Sequence, residues 1–162
     1  MPDPETRLNE LVGKLKKHGY RFTPQRVAVL RILAVSQGHP SVEQIHDQIK
    51  VAFPTTSLAT VYKTVTLLKE MGEILELGFA DGSNHYDGNK PYPHPHLICT
   101  ACGEIRDLEV PALSEMIQQV SQDIGYQIVS HRLDFYGICS RCQAHASQMS
   151  SDRCLPPSLC RQ

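Results

Sequence analysis

Between Pro91 and Asp107 the chain reads P-Y-P-H-P-H-L-I-C-T-A-C-G-E-I-R-D. This stretch holds His94 and His96, separated by one residue, then Cys99 and Cys102, then Asp107. A second Cys-x-x-Cys pair, Cys139 and Cys142, follows later. Thiolates spaced by two residues can grip one tetrahedral ion, and two such pairs close a structural zinc site. Imidazole with carboxylate is a different ligand set, suited to iron(II), manganese(II) or zinc. The residue types therefore predict two metal sites of different chemistry. One is closed and structural; the other is built on nitrogen and oxygen and open to exchange. Disulfides between the pairs are the competing reading, and a reducing cytosol favours the metal.

A chain of 162 residues suits one domain or two small ones. No apolar run reaches membrane length and the N-terminus lacks the apolar core of a signal peptide, so a cytoplasmic protein without a membrane partner is expected. Residues 1–72 hold ten Lys and Arg against six Asp and Glu, whereas residues 73–162 hold six against eleven. A basic first half and an acidic, ligand-rich second half point to two jobs.

The first half reads as short helices. Arg7 to Lys17 is amphipathic through Leu8, Leu11, Val12 and Leu15, and Gly19 stops it. Thr23-Pro24 opens a second helix as N-cap and first-turn proline, with Val27, Leu30 and Ala34 as its apolar stripe. Ser41 with Gln44 forms a capping box for a third, which carries Ile45, Ile49 and Phe53. A fourth runs from Thr56 or Ser57 to Met71, with Gly72 as its stop. Leu58, Val61, Val65 and Leu68 face inward there. Ala59, Thr60, Lys63 and Thr66 fall on the other face, with Tyr62 at the boundary. Small, hydroxylated and singly basic, that face suits a major groove. Thr60, Tyr62, Lys63 and Arg21 are the candidate DNA contacts.

Leu75, Leu77 and Phe79 alternate as a strand, Asp81-Gly82 turns it, and His85-Tyr86-Asp87 returns. Helices followed by a hairpin describe a winged helix. The proline-rich stretch that follows reads as a linker. Beyond it come strands within Leu97 to Val110, an amphipathic helix over Pro111 to Gly125 (Leu113, Ile117, Val120, Ile124), and a strand from Gln127 to Ile138. The expected fold is thus α+β, an N-terminal winged-helix domain over residues 1–88, a hinge at 89–95, and a small α/β domain at 96–142. Residues 143–162 lack periodicity and are expected as a disordered tail, with Cys154 and Cys160 as bystanders rather than ligands.

T-P-Q-R at 23–26, A-T-V-Y-K-T at 59–64, H-P-H-L-I-C-x-x-C-G at 94–103 and Y-G-I-C-x-x-C at 136–142 resemble the ferric-uptake-regulator family of bacterial metal-dependent repressors, over roughly residues 5–142. The resemblance implies a homodimer that binds a double-stranded DNA operator, with the second domain as the dimerisation domain. It implies structural zinc on Cys99, Cys102, Cys139 and Cys142, and a regulatory iron or manganese site at the hinge on His39, Asp87, His94, His96 and Asp107. Aspartates at both carboxylate positions resemble the peroxide-stress branch, in which bound iron(II) reacts with hydrogen peroxide and a ligand histidine is oxidised. His39 and His94 occupy those positions. An iron-responsive repressor of iron-uptake genes, without peroxide sensing, is the runner-up. Some family members carry a further metal site, but Pro93 and Pro95 stand where its ligands would fall and only His131 matches. Among unrelated classes, a small zinc hydrolase on His94 and His96 leaves the four cysteines and the winged helix unexplained, so no enzyme is expected. A bare zinc-ribbon module would not need the His/Asp set. His85 is expected at the surface, and His46 and His145 without a role.

Overall fold

A computed structural model describes residues 3–79 and 83–151. Four helices come first, and each starts where a capping residue dictates. Asp3 accepts the Thr6 N–H at the head of α1 (Pro4–Lys17). Thr23 caps α2 (Pro24–Val35), and Ser41 and Gln44 complete a reciprocal capping box on α3 (Val42–Lys50). Ser57 caps α4 (Leu58–Glu70), which ends ahead of Gly72 at φ +68°, a left-handed position that favours glycine.

The apolar stripes meet in one core. Leu8, Leu11 and Leu15 of α1 pack with Val29, Leu30, Leu33 and Ala34 of α2, and with Val42, Ile45, Ile49, Val61, Val65 and Leu68. Val27, expected in the stripe of α2, is only half-buried; Val29 and Leu33 take the inward face. Fully burying each large aliphatic side chain stabilises by about 1.5–3 kcal/mol, so this core can hold the first domain together alone.

Strands β1 (Leu75–Gly78) and β2 (Asn84–Asp87) form the antiparallel wing, in register Leu75 to Asp87. The expected Asp81-Gly82 turn lies outside the described residues. Arg7, buried in α1, donates to the carbonyls of Glu73 and Gly88 at 2.7 and 2.8 Å and pins both ends of the wing. Gly88 lies so close to α2 that a Cβ would meet the Leu33 carbonyl oxygen at 2.6 Å. Asp87, one residue earlier, is thereby held in place.

The second half is a three-stranded sheet in the order β4-β3-β5. β3 (His96–Cys99) pairs antiparallel with β4 (Ile105–Asp107) and parallel with β5 (Asp134–Gly137). Helix α5 (Ala112–Ile124) makes the crossover between β4 and β5. Leu77 of the wing packs with Ile98 and Ile105 of this sheet, so a small apolar cluster joins the two halves.

Two expectations need correction, and the expected helix α5 shows an unexpected exposure. The strand expected over Gln127 to Ile138 shortens to Asp134–Gly137, because among the described residues β5 pairs with β3 alone and no strand flanks residues 127–133. Residues 143–151, expected as part of a disordered tail, continue α6 (Ser140–Ser151). That helix propagates from the second cysteine pair, where the Gln143 N–H bonds the Cys139 carbonyl at 2.9 Å, and it contains neither glycine nor proline. Cys154 and Cys160 lie outside the described residues. The apolar stripe of α5 is mostly uncovered: Leu113 is buried, but Met116, Val120 and Ile124 are exposed.

Candidate metal sites and DNA-reading helix

Three chain segments bring the nitrogen and oxygen ligands together. His39 sits in the α2–α3 loop at φ +50°, the one non-glycine residue with positive φ among those described. A left-handed residue before proline is doubly disfavoured, at a cost of about 1–3 kcal/mol, and must be held by its surroundings. His85 Nδ1 bonds the His39 carbonyl at 2.6 Å and the Tyr86 N–H bonds the Pro40 carbonyl at 3.1 Å, so the wing does the holding. His85 is therefore half-buried with a structural task, not a surface residue as expected. Asp87 ends the wing. On the second sheet, strand register sets His96 of β3 opposite Asp107 of β4. His94 precedes β3.

The geometry is tight. His39 Nε2 lies 2.9 Å from Asp107 Oδ1 and 3.5 Å from Asp87 Oδ2. His94 Nε2 lies 3.2 and 3.4 Å from the same two oxygens. One ligand atom from each of His39, His94, His96 and Asp107 falls within 4.8 Å of the others. Seven buried atoms of these five residues lack an aligned hydrogen bond, both ring nitrogens of His39 and His96 among them; every residue offers at least one, as His39 Nε2, Asp87 Oδ2, His94 Nε2, His96 Nε2 and Asp107 Oδ1. Only the close approach of protonated rings to the two carboxylates compensates these atoms in the absence of an ion. The five named atoms, one per expected ligand and all nitrogen or oxygen, fit a divalent cation such as iron(II) or manganese(II).

Two of the three rings have a neighbour on the side away from the cluster. His94 Nδ1 bonds the Tyr92 carbonyl at 2.8 Å, which turns Nε2 inward. His96 Nδ1 faces Asp134 Oδ1 at 3.4 Å, and strand register aligns those residues. A carboxylate behind a ligand histidine orients the ring. Asp134 was not foreseen, since only the parallel β3–β5 pairing reveals it.

Without a metal the cluster must hold protons. Burial pulls the His39 pKa down, but hydrogen bonding and charge from Asp107 and Asp87 outweigh it and raise it to about 9. Burial likewise opposes His94, which Asp107 raises. His96 moves down, through burial and then the charges of His94 and His39. Burial would raise Asp107 and Asp87, yet His39 leads the interactions that hold both below the usual carboxylate range. The raised His39 pKa adds stability that is fully present below about pH 6.5 and is lost as pH climbs through about 9. Chelator-treated protein should thus be about 1–3 kcal/mol less stable to urea at pH 9.5 than at pH 6. His39→Ala should flatten that slope. Manganese(II) affinity should rise over the same interval, because the ion displaces the proton. An unchanged slope in the His39→Ala protein would remove His39 as the group responsible.

The cysteines form a second cluster. Sγ atoms of Cys99, Cys102, Cys139 and Cys142 lie within 4.8 Å of one another, and all four are free thiols rather than disulfides. Cys102 and Cys139 Sγ are 3.8 Å apart, far beyond the roughly 2.05 Å of a disulfide. The Cys139 N–H bonds Cys99 Sγ at 3.3 Å, the main reason its pKa falls to about 6. Cys142, crowded first by Cys139 and then by Cys102, is pushed up to about 12. Four adjacent thiols cannot all ionise without a cation; zinc is the ion their softness and tetrahedral closure suit.

On α4, Val61, Val65 and Leu68 are buried and Leu58 is half-buried, as expected, and so is Thr64, which bonds the Thr60 carbonyl at 2.9 Å. Ala59, Lys63 and Thr66 are exposed and Thr60 is half-buried. The Tyr62 hydroxyl donates to Glu43 Oε1 at 2.9 Å and leaves the ring exposed. Tyr20 and Arg26 line the same shallow depression as Tyr62, Lys63 and Thr66. Arg21 is exposed, and its carbonyl accepts from Arg26.

Residues 17–136 match the profile of the Ferric uptake regulator family. The chain belongs to that family. It is 36% identical over 139 residues to the peroxide-responsive repressor PerR of Staphylococcus aureus, covering 86% of this chain and 93% of that protein. Among solved structures, the Fur protein of Helicobacter pylori superposes with a TM-score of 0.75 at 27% identity, over 88% of this chain and 95% of that one. The Campylobacter jejuni peroxide stress regulator gives 0.65 at 35% identity, over 82% and 98%. The H. pylori protein is described as having three functional metal-binding sites. In this Fur-family chain only the two clusters above gather three or more His, Cys, Asp or Glu ligands among the described residues. His131 is half-buried with its Nε2 unpartnered, but no ligand group assembles around it. His46 is a core residue, its Nε2 2.9 Å from the Thr56 carbonyl oxygen. No helix among the described residues is long and apolar enough to cross a membrane.

Proposed function

We propose that this Fur-family protein is a cytoplasmic, metal-dependent transcriptional repressor that senses hydrogen peroxide through oxidation of its own ligand histidines. One observation carries the reading: buried, unpartnered nitrogen and oxygen atoms of the α2–α3 loop and the second sheet gather in one cluster of His39, His94, His96 and Asp107, and Asp87 of the wing, outside that group of four, brings Oδ2 to 3.5 and 3.4 Å from His39 and His94. A metal that needs all three fixes the angle between a winged-helix domain at residues 1–88 and a dimerisation domain at 96–142, across a hinge at 89–95. That angle decides whether two copies of α4 match two half-sites on DNA. Metal binding thus selects one hinge geometry. The structural zinc would occupy Cys99, Cys102, Cys139 and Cys142.

A homodimer is supported by the exposed apolar surface of the second half, formed by Met116, Val120 and Ile124 of α5 with Tyr126, Phe135 and Tyr136. So many large apolar side chains exposed in one half of the chain are what an association surface requires. Two aspartates in the site, and relatives named for peroxide response, favour peroxide over the iron-only alternative. Iron(II), when bound, supplies the reducing chemistry that splits peroxide. With that chemistry supplied, peroxide would oxidise a ring carbon of His39 or His94 by two electrons: the C–H would become a ring carbonyl with its hydrogen on nitrogen, and the other peroxide oxygen would leave as water. Both rings present Nε2 to Asp107 Oδ1, and an oxidised ring is a poorer ligand. His39, Asp87, His94, His96 and Asp107 hold the ion until then.

DNA recognition rests on Thr60, Tyr62, Lys63 and Arg21. With manganese-loaded protein and an operator selected from random DNA, Lys63→Ala should weaken binding to all sequences and lower the slope of log affinity against log salt by about 1. Tyr62→Ala should instead reduce discrimination, by about 1–3 kcal/mol, if its exposed ring meets thymine methyls. Two variants that bind as tightly and selectively as the parent would remove α4 as the reader.

A further inference from the structure

Residue 90 bonds both carboxylates of the nitrogen-and-oxygen site, and nothing in the function above uses it. Asp87 Oδ1 accepts the backbone N–H of Asn89 at 2.7 Å and that of Lys90 at 3.1 Å, while Oδ2 is bare and buried. Asp107 is divided in the same way. Its Oδ2 takes the Lys90 ammonium at 3.0 Å, and its Oδ1 is bare and buried. Main chain and side chain of one residue thus engage the outward oxygen of each aspartate and leave the inward one to the site.

The Lys90 and Asp107 side chains are each 17% exposed, against 3% for His39 and 4% for Asp87. They line a solvent cleft with Gln37, Gly38, Arg106 and Glu109. The ion pair is therefore the outer wall of the site.

We propose that Lys90 is a positioning residue that restricts Asp107 to one ligand oxygen and, as a fixed cation beside the site, weakens divalent-ion binding. The inference rests on reading the five atoms as a metal site, not on peroxide chemistry. Two effects act together. An ion can chelate through both Asp107 oxygens only if the Lys90 ammonium lets go of Oδ2. A positive charge a few ångströms from a dication also repels it directly. Both effects lower affinity, so removing the ammonium raises it. A lysine that merely braced the hinge would give the opposite sign.

The test titrates full-length, zinc-loaded protein with manganese(II) and follows the free ion by electron paramagnetic resonance. Lys90→Met and Lys90→Gln should bind manganese(II) roughly tenfold more tightly than the parent, given the size of such charge terms. Lys90→Arg should match the parent. Arg106→Met serves as control: Arg106 lines the same cleft but pairs with Glu104, and its loss should change affinity less than about twofold. The spectrum of bound manganese should shift in Lys90→Met, as Asp107 gains a second bond, and return in Lys90→Arg. Equal or weaker binding by Lys90→Met and Lys90→Gln overturns the proposal, as does equal tightening by Arg106→Met. If the parent shows no manganese binding that His96→Ala removes, the site reading itself fails and the inference falls with it.

Discussion

Cys99→Ser protein loses its zinc and the fold of its second half, while the helical half stays folded. Cys99 ends β3, is buried, and is the thiol to which the Cys139 N–H is bonded. Among the described residues the apolar cluster of the second sheet is Leu77, Ile98 and Ile105, with Leu75 and Phe79 packed against it, and Leu77, Leu75 and Phe79 come from the wing region. So small a core does not hold a domain alone, and such units rely on a metal or a disulfide. Apparent binding energies of structural zinc sites are about 10–16 kcal/mol, comparable with the roughly 5–15 kcal/mol of whole-domain stability. The first domain has its own core of sixteen buried residues, so its helices persist. Elemental analysis, circular dichroism and size-exclusion chromatography together check this. Helical signal should remain while the cooperative transition of the second half and the dimer disappear. A folded, dimeric Cys99→Ser protein without zinc would contradict the assignment.

Much of this was legible in the sequence because it depends on local rules. Thr23-Pro24, Ser41 with Gln44, and Gly72 mark helix ends wherever they occur, and each element formed where its cap dictated. The cysteine pairs declared their partnership by spacing alone. The His/Asp set was different. Nothing local links His39 to Asp107, 68 positions later in the numbering; only resemblance joined them, and only the wing's grip on the His39-Pro40 loop explains how they meet. Asp134 and Lys90 escaped for the same reason: one is defined by parallel strand register, the other by a hinge conformation. The overlong strand at 127–138 and the apolar stripe of α5 share a cause. In both, the apolar pattern is present but the described residues supply little to pair with it or cover it.

Peroxide should release the iron-loaded protein from its operator and leave the manganese-loaded protein bound. Both ions suit the same five ligand atoms, so both should support DNA binding before peroxide is added. They differ in redox chemistry: iron(II) readily gives electrons to peroxide, whereas manganese(II) does not, and that property belongs to the ion. What the protein decides is which groups stand nearest. His39 and His94 are buried, and their Nε2 atoms lie 2.9 and 3.2 Å from Asp107 Oδ1 at the centre of the site. Losing either ring would leave the ion one strong ligand short, and on the proposed mechanism the weakened clamp would let the two copies of α4 drift from their half-sites. The deciding measurement is peptide-level mass spectrometry, run beside an operator-binding assay on iron-loaded and manganese-loaded samples given the same low peroxide dose. One added oxygen on His39 or His94, in the iron sample alone and in proportion to lost DNA binding, is the predicted result. Unmodified histidines with undiminished DNA binding in the iron sample would contradict peroxide sensing and leave an iron-responsive repressor.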